Sequence, residues 1–180
     1  MSTARETDRA RVFFALWPDE AVRTHLATCA REARAQCGGR HIKTEKIHLT
    51  LFFVGDVERG RIPVLEALAS KIRAAPFELE VNTLGYWRHN RLVWAGTTRS
   101  PDALSELVSR LSQALASVDI HEEERRYVPH VTLVRNAVRA PQNTVVAGFE
   151  WRVLEFVLVE SISTAGPGRY DIVGRWPLVA

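Results

Sequence analysis

Hydrophobic positions along the chain fall into short blocks with two different periods. RVFFAL, residues 11–16, is a bulky apolar run that predicts a buried strand. In WPDEAVRTHLATCAREARAQCGG, residues 17–39, Val22, Leu26, Cys29, Ala30 and Ala33 recur at helical spacing. Pro18 suits a first turn, Asp19 and Glu20 suit the positive end of the dipole, and Gly38-Gly39 stop the helix. HLTLFFVG, residues 48–55, predicts a strand, and Ile62, Leu65, Leu68, Ala69 and Ile72 predict a second helix. FELEVNTLG, residues 77–85, alternates strictly and pairs with RLVWAG, residues 91–96, across a turn. Ser100 and Pro101 read as cap and first residue of a third helix, with Leu104, Leu107, Val108, Leu111 and Leu115 as its stripe. HVTLVR (130–135), RVLEFVLVESI (152–162) and RYDIVGRW (169–176) supply the last strands. Nothing apolar anchors residues 1–10, so a loose tail is expected there and a single domain over 11–180.

Two of these strands carry polar groups in a matching order. His48 and Thr50 stand two apart, as do His130 and Thr132, each followed by an apolar residue. Side chains alternate across a strand, so each histidine shares a face with its threonine while Leu49, Leu51, Val131 and Leu133 point to the other. Six histidines and twelve threonines give about 0.4 His-x-Thr triplets by chance, so two in matching contexts favour chemistry over coincidence. The motifs lie 82 positions apart, close to half of the 180 residues, with no Gly/Ser- or Pro-rich linker between them. That spacing suggests two similar lobes.

Composition narrows the class. Twenty-four basic and 21 acidic residues leave a net charge of +3, which excludes a polybasic coat but permits a local anion site. Cys29 and Cys37 are eight apart in one predicted helix, about 12 Å at ~1.5 Å per residue, too far for a disulfide. A reducing, cytoplasmic setting is therefore expected. The polar N-terminus is no secretory signal, and no run approaches the roughly 20 apolar residues of a membrane span.

Two imidazoles and two hydroxyls around one cavity suit displacement at phosphorus without a metal. A histidine titrates near neutrality, so one can accept a proton while its partner donates one. A threonine hydroxyl donates a hydrogen bond to a non-bridging phosphate oxygen. The alternation does not say which histidine plays which part.

HLTL at 48–51 and HVTL at 130–133 resemble the signature of the two-histidine phosphoesterase superfamily. RVFFALWPDE, KIHLTLFFVGDV, RLVWAG, YVPHVTLVR and GRYDIVGRWPL extend the likeness, over roughly residues 11–178, to its bacterial RNA 2′,3′-cyclic phosphodiesterase (2′-5′ RNA ligase) branch. The resemblance implies an α+β fold of two pseudo-symmetric lobes, each an antiparallel sheet flanked by helices, with the active-site cleft between them. It implies that His48 protonates the departing 3′ oxygen, that His130 activates water, and that Thr50 and Thr132 hold phosphate oxygens. It also implies no cofactor, no metal, and RNA ends bearing a 2′,3′-cyclic phosphate as substrate, tRNA fragments among them; a monomer is the default. Arg135, five residues after His130, matches a substrate-binding position, although strict alternation would turn it to the opposite face. Other readings of the same site are a phosphodiesterase of small cyclic nucleotides or 2′-5′ oligoadenylates, a 2′-5′ RNA ligase, or an idle RNA-end-binding module.

Other features read as bland. Phe13 or Phe14 could supply a base-stacking ring, but core is the favoured reading of RVFFAL; His25 is taken as helix surface or helix packing, and His41, His89 and His121 as solvated loop residues. HEEERR (121–126) reads as a solvated connection and GPG (166–168) as a turn.

Overall fold

Steric fit makes β1 (Arg9–Leu16) two-sided: Phe14 and Leu16 pack into the main core, while Phe13 and Ala15 join a smaller apolar cluster on the opposite face. The computed structural model describes residues 8–121, 126–163 and 168–179. After β1 come α1 (Glu20–Cys37), β2 (Arg40–His41), β3 (Leu49–Glu58), α2 (Ile62–Ala69), β4 (Phe77–Trp87) and β5 (Leu92–Gly96). Then follow α3 (Asp102–Ala116), β6 (His130–Arg135), β7 (Val145–Val153), β8 (Glu155–Ile162) and β9 (Arg169–Pro177).

The strands form one antiparallel sheet in the order β7-β4-β5-β6-β3-β1-β8-β9, with β2 also paired to β6. Its two halves, β7-β4-β5-β6 and β3-β1-β8-β9, are the two lobes, and the fold is α+β as expected. The halves exchange helices. α1 follows β1 yet packs on β5 and β6, while α3 follows β5 and packs on β3 and α2. Between the lobes β3 and β6 share a single residue pair, Leu49 with Val131. Each of these follows a motif histidine directly, so the pseudo-twofold axis passes through the motifs.

Each motif strand departs from regular pairing at the same place. On β3, Phe52 faces Phe14 and Thr50 faces Ala15, so Leu51 is an extra residue. On β6, Val134 faces Val93 and Thr132 faces Trp94, so Leu133 is an extra residue. Both bulges fall three positions after the histidine, and both put two consecutive apolar residues, Leu51-Phe52 and Leu133-Val134, into the core. The alternation is thereby reset. The residue five places after each histidine, Phe53 or Arg135, returns to the histidine's face.

Several boundaries differ from the sequence reading for local reasons. Asp19 is itself the α1 cap, accepting from the Val22 amide at 2.9 Å, and Pro18 precedes the helix. Pro101, not Ser100, occupies the α3 cap position. α2 ends at Ala69, so Ile72 packs from beyond the helix. The stretch read as one strand over 152–162 is two, broken at the exposed Leu154, and β7 has mostly exposed positions that hid it from a hydrophobicity pattern. β1 starts at Arg9, and Ala10 is buried, inside the region expected to be a loose tail; residues 1–7 lie outside the described residues. So do residues 122–125 of HEEERR and 166–167 of GPG.

Glycine sets one close approach beneath the cleft. A Cβ on Gly85 would fall 2.0 Å from the ring of Trp94, its partner across the β4–β5 pair. Gly85→Ala is expected to destabilise the protein by about 1–3 kcal/mol through overpacking, read as a lower denaturant midpoint at unchanged slope.

Candidate active site

The two motif strands bring His48, Thr50, His130 and Thr132 to the lining of one cleft of about 910 Å³. Because β3 and β6 run antiparallel through the Leu49–Val131 pair, the same register sets His48 across from Thr132 and Thr50 across from His130. Each lobe thus contributes one imidazole and one hydroxyl, crossed over the axis.

Backbone geometry fixes both rings in the same way. Nδ1 of His48 is 2.8 Å from the Lys46 carbonyl, and Nδ1 of His130 is 2.8 Å from the Val128 carbonyl. A carbonyl only accepts, so each Nδ1 carries a proton and donates it. The neutral tautomer therefore has its lone pair on Nε2, the nitrogen that can take or give a proton at a bound group. The Thr50 hydroxyl donates to His48 Nε2 at 3.1 Å. Tyr127 adds a tie between lobes by donating its hydroxyl hydrogen to the Thr50 carbonyl at 3.0 Å.

The surroundings of the two histidines differ. His48 is stacked on Trp17, with centroids 5.6 Å apart and planes at 12°. Phe13 lies 4.8 Å away, and Tyr170 meets the ring edge-on at 5.4 Å. This aromatic enclosure strips water from the imidazole, and burial pushes its pKa down to about 4. The Lys46 carbonyl opposes that shift, while the charges of His130 and Arg135 add to it. His130 instead meets Trp87 edge-on at 4.5 Å, with Trp94 behind at 6.2 Å.

Arg135 lines the cleft, brought there by the bulge at Leu133, which answers the objection from strict alternation. Its counterpart Phe53 also lines the cleft and is 50% exposed, with the Arg11 guanidinium over its ring 5.7 Å from the centroid. Sequence reasoning missed Phe53 because three consecutive apolar residues, Leu51 to Phe53, conceal where the bulge falls. Phe13 is buried, as expected of core, but lies on the cleft face beneath His48 rather than with Phe14. His41 and His89, read as solvated, border the cleft too, through β2 and the β4–β5 turn. No periodicity announces either.

Charge in the cleft is one-sided. Arg40, Lys43, Lys46, Arg126 and Arg135 line it, and no carboxylate does among the described residues. The cleft is thus more cationic than the chain's net charge of +3 would suggest, as suits an anion. No three His, Cys, Asp or Glu side chains cluster as metal ligands among the described residues.

Comparison with known proteins gives a consistent result. The model of the 2′-5′ RNA ligase superfamily matches residues 18–164. An RNA 2′,3′-cyclic phosphodiesterase of Escherichia coli is 32% identical over 170 residues, covering 93% of this chain and 96% of the relative. One from Thermus thermophilus is 30% identical, covering 93% and 90%. The crystal structure of E. coli LigT complexed with 3′-AMP superposes with a TM-score of 0.87 at 29% identity, covering 96% of this chain and 99% of that one.

The depressed His48 pKa fixes a sign for stability. Its folded value lies below its ordinary 6.5, so the unfolded chain binds the extra proton between about pH 6.5 and 4. The contribution of neutral His48 is complete above pH 6.5 and is lost as the pH falls through that window. NMR titration of the free protein is expected to show the His48 ring protonating near pH 4. The denaturant midpoint should fall less steeply from pH 6.5 to 4 in His48→Asn than in the parent.

Proposed function

We infer that this chain, which belongs to the 2′-5′ RNA ligase superfamily, is an RNA 2′,3′-cyclic phosphodiesterase that opens the terminal cyclic phosphate to a 2′-phosphomonoester. The observation that carries the reading is the crossed pair of His-x-Thr motifs at the strand pair that joins the two half-sheets, within a cleft lined by cations.

The cyclic phosphate sits over the Leu49–Val131 pair, with its non-bridging oxygens taking hydrogen bonds from Thr50 and Thr132. Neutral His130 accepts a proton from water at Nε2 as the water oxygen attacks phosphorus. The bond from phosphorus to the 3′ oxygen breaks, and His48 delivers a proton to that oxygen. The products are a 2′-phosphate and a free 3′-hydroxyl, with the proton moved from water to His130 and from His48 to the sugar. Arg135 offsets the phosphate charge, and Phe53 gives a nucleobase a face to stack on.

The aromatic enclosure imposes a condition on this division of labour. His48 is neutral in the free protein, so as the acid it takes up a proton as the anionic phosphodiester arrives. The substrate's negative charge beside the ring raises its pKa and stabilises the imidazolium. The limb assigned to His48 therefore differs between kcat, which reports the complex, and kcat/KM, which reports the free enzyme. RNA ends, tRNA fragments among them, are the proposed substrates, acted on by a monomer in the cytoplasm. Both cysteines are free thiols, and no described helix is long and apolar enough to cross a membrane.

His48→Ala and His130→Ala are each expected to lower kcat by about 10²–10⁴ on an RNA ending in a 2′,3′-cyclic phosphate. With His48 as acid, kcat falls as pH rises through its pKa in the complex, above the value of about 4 in the free protein. A kcat that instead rises with pH through the limb removed by His48→Ala would reverse the two roles. Phe53→Ala should raise KM with little change in kcat, as loss of a stacking contact does.

A further inference from the structure

Beyond the reacting end, one arm of the cleft carries a pair of arginines that the fold takes trouble to place. β2 has only two residues, and its register sets Arg40 directly across from Arg135. Residues directly opposite on an antiparallel pair share a face, and like charges there repel. Neither guanidinium has a carboxylate within ion-pair range among the described residues, whereas five other arginines do. The turn that delivers Arg40 is itself demanding. Gly38 and Gly39 both adopt positive φ, 68° and 80°. A Cβ on Gly39 would lie 2.6 Å from the Arg135 carbonyl oxygen, so only glycine lets the chain come this close to β6. Lys43, two residues past β2, also lines the cleft, and both Arg40 and Lys43 are exposed.

Position along β6 sets Arg40 to one side of the reacting centre. Arg135, whose charge still reaches His48, lies at most about 16 Å beyond His130 at ~3.3 Å per residue, less for the extra residue Leu133, and Arg40 faces it from the neighbouring strand. The pseudo-symmetric arm offers the apolar ring of Phe53 where this one offers guanidinium. One end of the cleft thus suits a base and the other a polyanionic backbone. Such a stripe of cations beside a stacking ring is the pattern that tracks a single strand.

We propose that Arg40 and Lys43 form a second anion site that takes the internucleotide phosphate adjoining the reacting end, so that the enzyme selects oligonucleotides over mononucleotides. This rests on the cyclic phosphodiesterase reading above. Arg135 lies between the two phosphates, and binding of the strand relieves the repulsion between Arg135 and Arg40.

The test compares kcat/KM for adenosine 2′,3′-cyclic phosphate with that for a tetranucleotide ending in the same group, in the parent, Arg40→Gln, Arg40→Lys and Lys43→Gln. The parent is expected to prefer the tetranucleotide by about tenfold or more, the size of one charge-assisted contact. Arg40→Gln should reduce that ratio about fivefold or more, and Arg40→Lys should restore part of it. The salt dependence of tetranucleotide kcat/KM should become shallower by about 0.7 for each phosphate contact removed. Equal kcat/KM for both substrates in the parent, or a ratio unchanged in Arg40→Gln and Lys43→Gln, would overturn the second site. Failure of the parent to hydrolyse either substrate would overturn the cyclic phosphodiesterase reading instead.

Discussion

The structure turns on one backbone pair. Leu49 and Val131 form the single ladder pair between β3 and β6, and that pair joins β7-β4-β5-β6 to β3-β1-β8-β9 in one sheet. Everything at the site is referred to it, because each histidine immediately precedes a member of the pair. A register slip of one residue would turn both motifs away from the cleft. Two further devices guard the register. The helices are exchanged between lobes, so α1 and α3 each span from one half's chain to the other half's sheet. The hydroxyl of Tyr127 also holds the Thr50 carbonyl across the junction.

Pseudo-symmetry in the backbone is combined with asymmetry in the side chains. Both histidines fix their tautomer through a carbonyl two residues upstream, and both strands bulge three residues downstream. One half-buried ring is then packed among Phe13, Trp17 and Tyr170, while the other leans on Trp87. A shared scaffold thus places two like groups in unlike surroundings, as a division into acid and base requires. The same offset of five places Phe53 in one arm and Arg135 in the other, giving the cleft an aromatic end and a cationic end.

Much of this was legible in the sequence because it rests on short-range periodicity. The helical stripes and the shared face of each His-x-Thr pair follow from spacings within a few residues, whereas the 82-residue separation of the motifs suggests the two lobes and the family resemblance implies the α+β plan. The bulges do not, because Leu51-Phe52-Phe53 and Leu133-Val134 are apolar under either register and conceal where the alternation slips. Arg135 could therefore be placed only by likeness to relatives, and Phe53 not at all. β2 is too short to leave a pattern, so Arg40, His41 and Lys43 reach the cleft through pairing that only the fold shows. β7 was missed for a related reason: an edge strand with exposed positions lacks the apolar alternation that marks a buried one.

The central claim is that the crossed histidines hold a cyclic phosphate in one orientation, with water opposite the 3′ oxygen. The most direct test is the position of the phosphate in the product when a short RNA ending in a 2′,3′-cyclic phosphate is hydrolysed, read by phosphorus NMR. The account predicts a 2′-phosphate and a free 3′-hydroxyl as the sole end. A 3′-phosphate, or a mixture of the two, would contradict it.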